Sequence, residues 1–141
     1  MLTPSQKGSI AEAAIVAAAV KLGIGVSKPV NEGLRYDLIF DLERLTRVQC
    51  KWAVRMHDVI YVRCYSCRRT RDGVLRRVYA EGEIDAIAAY CAYLDQCYFI
   101  PFERLFAQAV IQLRLAPTKN NQHARVNWAN EYEFAATLRT V

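Results

Sequence analysis

Histidine is nearly absent: the chain of 141 residues holds two, His57 and His123. A metal centre built on three histidines is excluded, and with it any nuclease class that needs several. Cysteine occurs five times, an odd number, so the thiols cannot all pair within the chain. Free thiols in a reducing, cytoplasmic compartment are the expectation. No apolar stretch reaches the roughly 18 residues a membrane span requires. The run Ala13 to Val20 is too short, and Glu12 directly before it argues against a signal peptide. Internal repeats, low-complexity tracts and Gly/Ser linkers are all missing, so one domain spanning residues 1–141 is expected. Apolar residues make up 53%, which is enough to build a core in that domain.

Acidic residues are scarce where basic ones crowd. Residues 35–80 hold eleven Lys and Arg against five Asp and Glu, a net of +6 in a chain of net +5. Residues 81–141 carry −2, from five against seven. The densest part is Arg63, Arg68, Arg69, Arg71, Arg76 and Arg77, opposed only by Asp72. Such a cluster either solubilises a hairpin or meets an acidic partner, and arginine suits phosphates and guanine edges. Nucleic acid is the leading partner. A membrane is not, because no basic amphipathic helix accompanies the cluster.

Thr3-Pro4-Ser5-Gln6 has the form of a capping box, with proline at the first helical position. It predicts a helix from Pro4 to Leu22 that ends at Gly23, and its stretch Ile10 to Val20 is apolar nearly all round, which indicates a buried helix. Glu12 lies on it with Ile15, Val16 and Ala19 as neighbours. Ser9-Ile10-Ala11-Glu12 also fits a capping box, which would make Glu12 only part of a cap. Strands are expected over 25–31, 36–41, 46–53, 59–65 and 74–79, with Asp72-Gly73 as a turn. The stripe Ile84, Ile87, Ala88 and Cys91 predicts a helix from Gly82 or Glu83 to Leu94. Strands over 97–102 and 109–115, a polar loop over 117–122 and a helix over 128–138 complete the order.

Strand alternation puts Asp37, Ile39 and Asp41 on one face, and Arg47, Gln49 and Lys51 on one face of the next strand. A turn centred near Arg44 sets Asp37 across from Lys51 and pairs Asp41 with Arg47. Asp37, Gln49 and Lys51 then converge at the hairpin end away from the turn. Cys50 points to the opposite face, into the core. A carboxylate in the largely buried run Tyr36 to Phe40 calls for a cation, either a metal or a side chain. Cys64-Tyr65-Ser66-Cys67 with Cys91 and Cys97 is a minor zinc alternative, weakened by the lack of a second CxxC.

Asp37 followed by Gln49-Cys50-Lys51 resembles the PD-(D/E)xK nuclease superfamily, in which an Asp begins one strand and acid-x-Lys ends the next. Glu12 is similar to the helix glutamate of many members. Arg35-Tyr36 stands where proline precedes the Asp, and Gln49 stands where an acid is usual. A Gln-x-Lys variant is a feature of certain intron-encoded homing endonucleases. Ile84 to Tyr90 followed by Tyr98 to Phe102 resembles the second helix and following strand of that branch. Asn127-Trp128-Ala129 near Tyr132 resembles its C-terminal end.

The resemblance implies an α/β fold of α+β type, with a restriction-endonuclease-like core whose central mixed sheet is flanked by helices. It implies a divalent-metal-dependent DNA endonuclease making a double-strand break. Mg²⁺, or another divalent cation such as Mn²⁺, would be held by Asp37, Glu12 and the Cys50 backbone carbonyl. Lys51 would orient or help deprotonate a water, and Gln49 would hold a ligand or water. Arg63, Arg68, Arg69, Arg71, Arg76 and Arg77, within 55–80, would hold double-stranded DNA. Two alternatives stand beside this: a Holliday-junction-resolvase-like nuclease, and a non-catalytic DNA-binding module on a decayed nuclease fold. One site cuts one strand, so a homo-oligomer, dimer or tetramer, is expected. Its subunit contacts are expected in the apolar part, residues 84–115 and the helix near Trp128.

Overall fold

The computed structural model describes residues 1–105, 108–117, 120 and 126–138. Helix α1 runs over Pro4–Lys21, and its capping box forms as the sequence predicts. The Thr3 hydroxyl accepts the Gln6 N–H at 3.1 Å, and the Gln6 side chain accepts the Thr3 N–H at 2.8 Å. Because the helix begins at Pro4, Glu12 lies in its middle and is no cap. Ala11, Ile15 and Ala19 are buried, whereas Ile10 and Val20 are exposed. The helix is therefore not apolar-covered all round. Its alanines let an unburied side exist at little cost.

Strands β1 (Gly25–Ser27), β2 (Leu38–Asp41) and β3 (Leu45–Trp52) follow, then β4 (Val54–Met56) and β5 (Val59–Arg63). Next come β6 (Tyr65–Thr70), β7 (Gly73–Val78), β8 (Ala86–Cys91), β9 (Gln96–Pro101) and β10 (Val110–Arg114). The central sheet has the order β1-β2-β3-β8-β9, mixed because β3 and β8 are parallel and the other pairs antiparallel. A second sheet, β10-β5-β4, covers one of its faces, and β6-β7 forms a separate ribbon. The fold is the mixed α+β architecture expected.

Each face of the central sheet has its own core. Val48, Leu38, Phe40, Ala86, Ala88 and Phe99 pack with Ile15 and Ala19 of α1 and with Phe134. Ile87, Ala89, Tyr98 and Ile100 pack with Ile60, Val62, Ile111 and Leu113 of the second sheet. Cys50 packs on the helix side, as alternation requires.

Three expectations change. The helix predicted from Gly82 or Glu83 to Leu94 is strand β8, and with it falls the likeness of 84–90 to a second helix. A strand covered on both faces reads as a continuous apolar run, and Ile84, Ile87, Ala88 and Cys91 then mimic a helical stripe. The helix over 128–138 is reduced to a 3-10 turn, Ala129–Glu131, and one helical turn, α2 (Phe134–Thr137). The β2–β3 register is shifted by two residues: Asp41 lies opposite Leu45 and Ile39 opposite Arg47. A two-residue slip leaves every side chain on its face, so the alternation survives while the pairs change. Arg47 pairs not with Asp41 but with Asp85, at 3.0 Å.

Most side chains of β8 and β9 are buried, so a subunit contact in the 84–115 segment would use its exposed residues. Among the described residues of that segment, Tyr93, Leu94, Val110 and Leu115 are the exposed large apolar side chains. The predicted polar loop over 117–122 falls mostly outside the described residues, as does His123. Among the described residues no helix is long and apolar enough to cross a membrane.

Candidate active site

Strand β3 is flanked by β2 and β8, with α1 over one face, and its far end carries Gln49, Cys50 and Lys51. Asp37 stands just before β2 and is locked against that end. Its N–H donates to the Val48 carbonyl at 2.9 Å. Its carboxylate accepts the Cys50 N–H at 3.0 Å. Asp37 thus lies beside Gln49 and Cys50 rather than directly across from Lys51. Burial pushes its carboxyl above the usual range, and the charge of Glu12 adds to the rise. The Cys50 N–H and Lys51 act in the opposite direction.

Glu12 reaches the same place from α1. It pairs with Lys28 at 3.1 Å, and with Asp37 it lines a cleft of about 220 Å³ under the Lys28–Leu34 loop. Burial lowers the Lys51 ammonium below the usual lysine range, and Asp37 partly restores it. The Lys51 Nζ donates to the Tyr65 carbonyl at 2.8 Å and lies 5.1 Å from the Tyr79 ring centre. Gln49 is partly buried between them in sequence, on the same strand face as Lys51. The structure therefore brings Glu12, Asp37 and Lys51 to one end of β3, with Gln49 beside them.

All the side-chain and carbonyl donors here are oxygens, which suits a hard cation. Glu12, Glu32 and Asp37 line the cleft itself, and the Cys50 carbonyl and the Gln49 amide belong to the end of β3 against which Asp37 is tied. Among the described residues no three of His, Cys, Asp or Glu cluster as a metal cage. That removes support from the zinc alternative. Cys64, Cys91 and Cys97 are buried, Cys67 is exposed, and all are free. The fit is to a cation held by two acids plus neutral oxygens and water.

The arginines divide. Arg68 and Arg69 lie on β6, Arg71 at the turn, and Arg76 and Arg77 on β7. Arg63 ends β5 in the second sheet. The register pairs Ser66 with Arg77, Cys67 with Arg76, Arg68 with Leu75, and Arg69 with Val74. Directly opposed residues share a face, so Arg68 and Arg77 are on one face and Arg69 and Arg76 on the other. Every residue of β7 is exposed. Arg76 stacks over Tyr65 at 5.0 Å, and Arg77 pairs with Glu83 at 2.8 Å. Among the described residues Arg63, Arg68, Arg69 and Arg71 have no carboxylate partner.

Three residues that sequence reasoning passed over stand between ribbon and site. Arg35 donates to the Ser66 hydroxyl at 2.5 Å and to the Val78 carbonyl at 2.9 Å. Glu83 is 3.1 Å from the Arg35 Nε and accepts the Ala80 N–H at 2.7 Å. Tyr79 packs its ring 4.2 Å under the Arg35 guanidinium. Arg35 offered one signal, its position two residues before Asp37. Tyr79 and Glu83 offered none.

The family model of the PD-(D/E)XK endonucleases matches residues 2–135. Among solved structures, a bacterial homing endonuclease, I-Ssp6803I, superposes with a TM-score of 0.74 at 29% identity. The match covers 95% of this chain and 90% of that one. No curated protein sequence matches the chain.

Proposed function

The chain belongs to the PD-(D/E)XK endonuclease family, and we propose that it is a site-specific homing-type DNA endonuclease that uses Mg²⁺ to make a double-strand break. Nucleases of this family generally use divalent metal ions. The observation that carries the reading is the junction of Asp37 with the end of β3, its carboxylate tied to the Cys50 N–H one residue from Lys51. The homing activity of the structural neighbour, at 29% identity over nearly the whole chain, supports the finer assignment.

Asp37, Glu12 and the Cys50 carbonyl would hold the cation, which when bound polarises the scissile phosphate. Glu12 is held by Lys28 until then, so metal binding would exchange one cation for another. Lys51, desolvated and directed by the Tyr65 carbonyl, orients the attacking water and offsets charge growing on the phosphate. Gln49 hydrogen-bonds a water or a ligand oxygen. Its neutral amide leaves one negative charge fewer at the site than the usual acid. The β6–β7 ribbon is of a size to enter a major groove, which admits a two-stranded ribbon. Arg68, Arg69, Arg71, Arg76 and Arg77 would contact phosphates and base edges from its two faces, and Arg63 would extend the contact at its root. Residues 1–141 act as one unit in this reading, and two or more copies are needed to cut both strands.

The non-catalytic alternative draws on the same geometry, because among the described residues no three of the acids, cysteines and histidines gather closely enough to cage a metal. Both alternatives are separated from the proposal by one experiment. The purified protein is incubated with duplex carrying a candidate intron-insertion site and with a four-way junction, in Mg²⁺ and in EDTA, with its mass measured by light scattering. Mg²⁺-dependent cutting of both duplex strands by an oligomer is the expected outcome. Preferred cutting of the junction supports the resolvase reading. Binding without cutting supports the decayed one.

A further inference from the structure

The arginine ribbon and the lysine of the site share the same supports. Lys51 is held by groups at the two roots of the ribbon: the Tyr65 carbonyl at the start of β6, and the ring of Tyr79, one residue past β7. The same ring lies under Arg35, so Tyr79 is bracketed by two cations at 4.2 and 5.1 Å. Arg35 in turn bridges the two ribbon strands through Ser66 and Val78. It lies two residues from Asp37. Glu83 gathers Arg35 and Arg77, linking a DNA-facing side chain to the same node. The Tyr79 residue is 5% exposed, and its hydroxyl has no hydrogen-bond partner among the described residues. The ring therefore carries whatever Tyr79 contributes.

A two-stranded ribbon is marginal by itself in water, so its orientation must come from its anchors. Here one of those anchors, the Tyr79 ring, touches the catalytic lysine, and Arg35 acts on it through that ring. We propose that Arg35 and Tyr79 are positioning residues: by seating the root of the ribbon they hold Lys51 in place for the scissile phosphate. This rests on the endonuclease reading. It adds that loss of either anchor costs cleavage rate rather than DNA affinity. Burial of a flat ring between two cations also suits the cation–π geometry, which a branched aliphatic cannot supply.

The test compares Arg35→Met, Tyr79→Leu and Tyr79→Phe in the full chain, with melting curves to establish folding. Single-turnover cleavage at saturating DNA should fall at least tenfold in Arg35→Met and Tyr79→Leu, with DNA affinity within threefold of the parent. Tyr79→Phe, which keeps the ring, should rescue the rate. The second readout needs no activity. The ring-current shift of the Lys51 ε-methylene signals in free protein should persist in Tyr79→Phe and shrink in Arg35→Met, which keeps the ring but removes the guanidinium that holds it. Parent-like rates in both damaging variants overturn the proposal, as do rate and affinity falling by one common factor, or unmoved Lys51 signals. If Arg35→Met fails to fold, the Tyr79 pair decides. If the parent itself does not cut, the endonuclease reading fails, while the Lys51 signals still report whether the anchors position the lysine.

Discussion

Replacing Asp37 with Asn should uncouple activity from stability. The change keeps the shape and leaves an amide oxygen to accept the Cys50 N–H, now held at 3.0 Å by the carboxylate. It removes only the charge. That charge is a burden to the metal-free fold, because burial and Glu12 raise the Asp37 pKa. A carboxyl raised above its unfolded value contributes stability at low pH and loses it as pH rises through the folded pKa. At pH 8 the metal-free Asn variant should therefore melt at or above the parent. The difference should shrink as pH falls toward 4. Asp37→Ala is the control: it strands the Cys50 N–H, at about 1–3 kcal/mol. At roughly 3 °C per kcal/mol for a chain of this size, the melting point should drop by about 3–9 °C. Cleavage should fall in both, on the order of 10³-fold, because a lost cation ligand forfeits several kcal/mol of transition-state stabilisation. Mg²⁺ should raise the melting point of the parent and do so less in either variant. Calorimetry across pH, with and without Mg²⁺, and single-turnover cleavage measure all of this. An Asn variant that melts well below the parent at pH 8, or cuts within tenfold of it, would refute the assignment.

Lys51→Ala should likewise abolish cleavage while DNA affinity, read by fluorescence anisotropy, stays within threefold, since the ammonium is spent on the Tyr65 carbonyl and the Tyr79 ring beneath the ribbon and not on its exposed faces. Arg68→Ala, Arg69→Ala and Arg71→Ala should each lower the slope of log affinity against log salt by about one. Arg77→Ala should lower it less, because Glu83 at 2.8 Å already competes for that guanidinium; equal slopes for all four would contradict this. Cys67, exposed on β6, should react with a thiol reagent well before the other four thiols. Burial pushes Cys64 up to about 11 and Cys97 up to about 12, and raises Cys50 too. An acid group raised in the fold favours folding below its unfolded pKa and opposes it above. Stability measured by urea titration should therefore decline as pH rises past about 8.5.

The residues with local signatures were legible, and those defined by distant contacts were not. Thr3 and Gln6 announce the start of α1 because a capping box is closed within four residues. The two-residue period of a strand puts Asp37, Gln49 and Lys51 on one face, which a register slip of two does not disturb. Their partners were not legible. The hairpin offers Arg47 a partner in Asp41, yet Arg47 pairs with Asp85, 38 residues away, which stands just before β8 and arrives through its parallel pairing with β3. The misreading of β8 follows from its burial: a strand between β3 and β9, with a core on each side, has no polar face to reveal the period of two. Arg35 and Tyr79 escaped notice because their roles exist only once the ribbon has folded back on the site.

The placement of rigidity in the molecule follows from the same contacts. The end of β3 has strands on both sides, a helix over one face and a second sheet near the other, so Asp37 and Lys51 sit on a scaffold that is costly to deform. The ribbon has the opposite character. Val74 and Leu75 are 62% and 56% exposed, and among the described residues no core lies beneath β7. Its order comes from side-chain anchors at its root. A groove-reading element gains from that arrangement, since it can adjust to DNA shape at little cost in packing. A cutting centre does not, since a misplacement of about 1 Å costs on the order of 100-fold in rate. Arg35 and the ring of Tyr79 stand at the boundary between the two, where a change in the adaptable element can be felt by the rigid one.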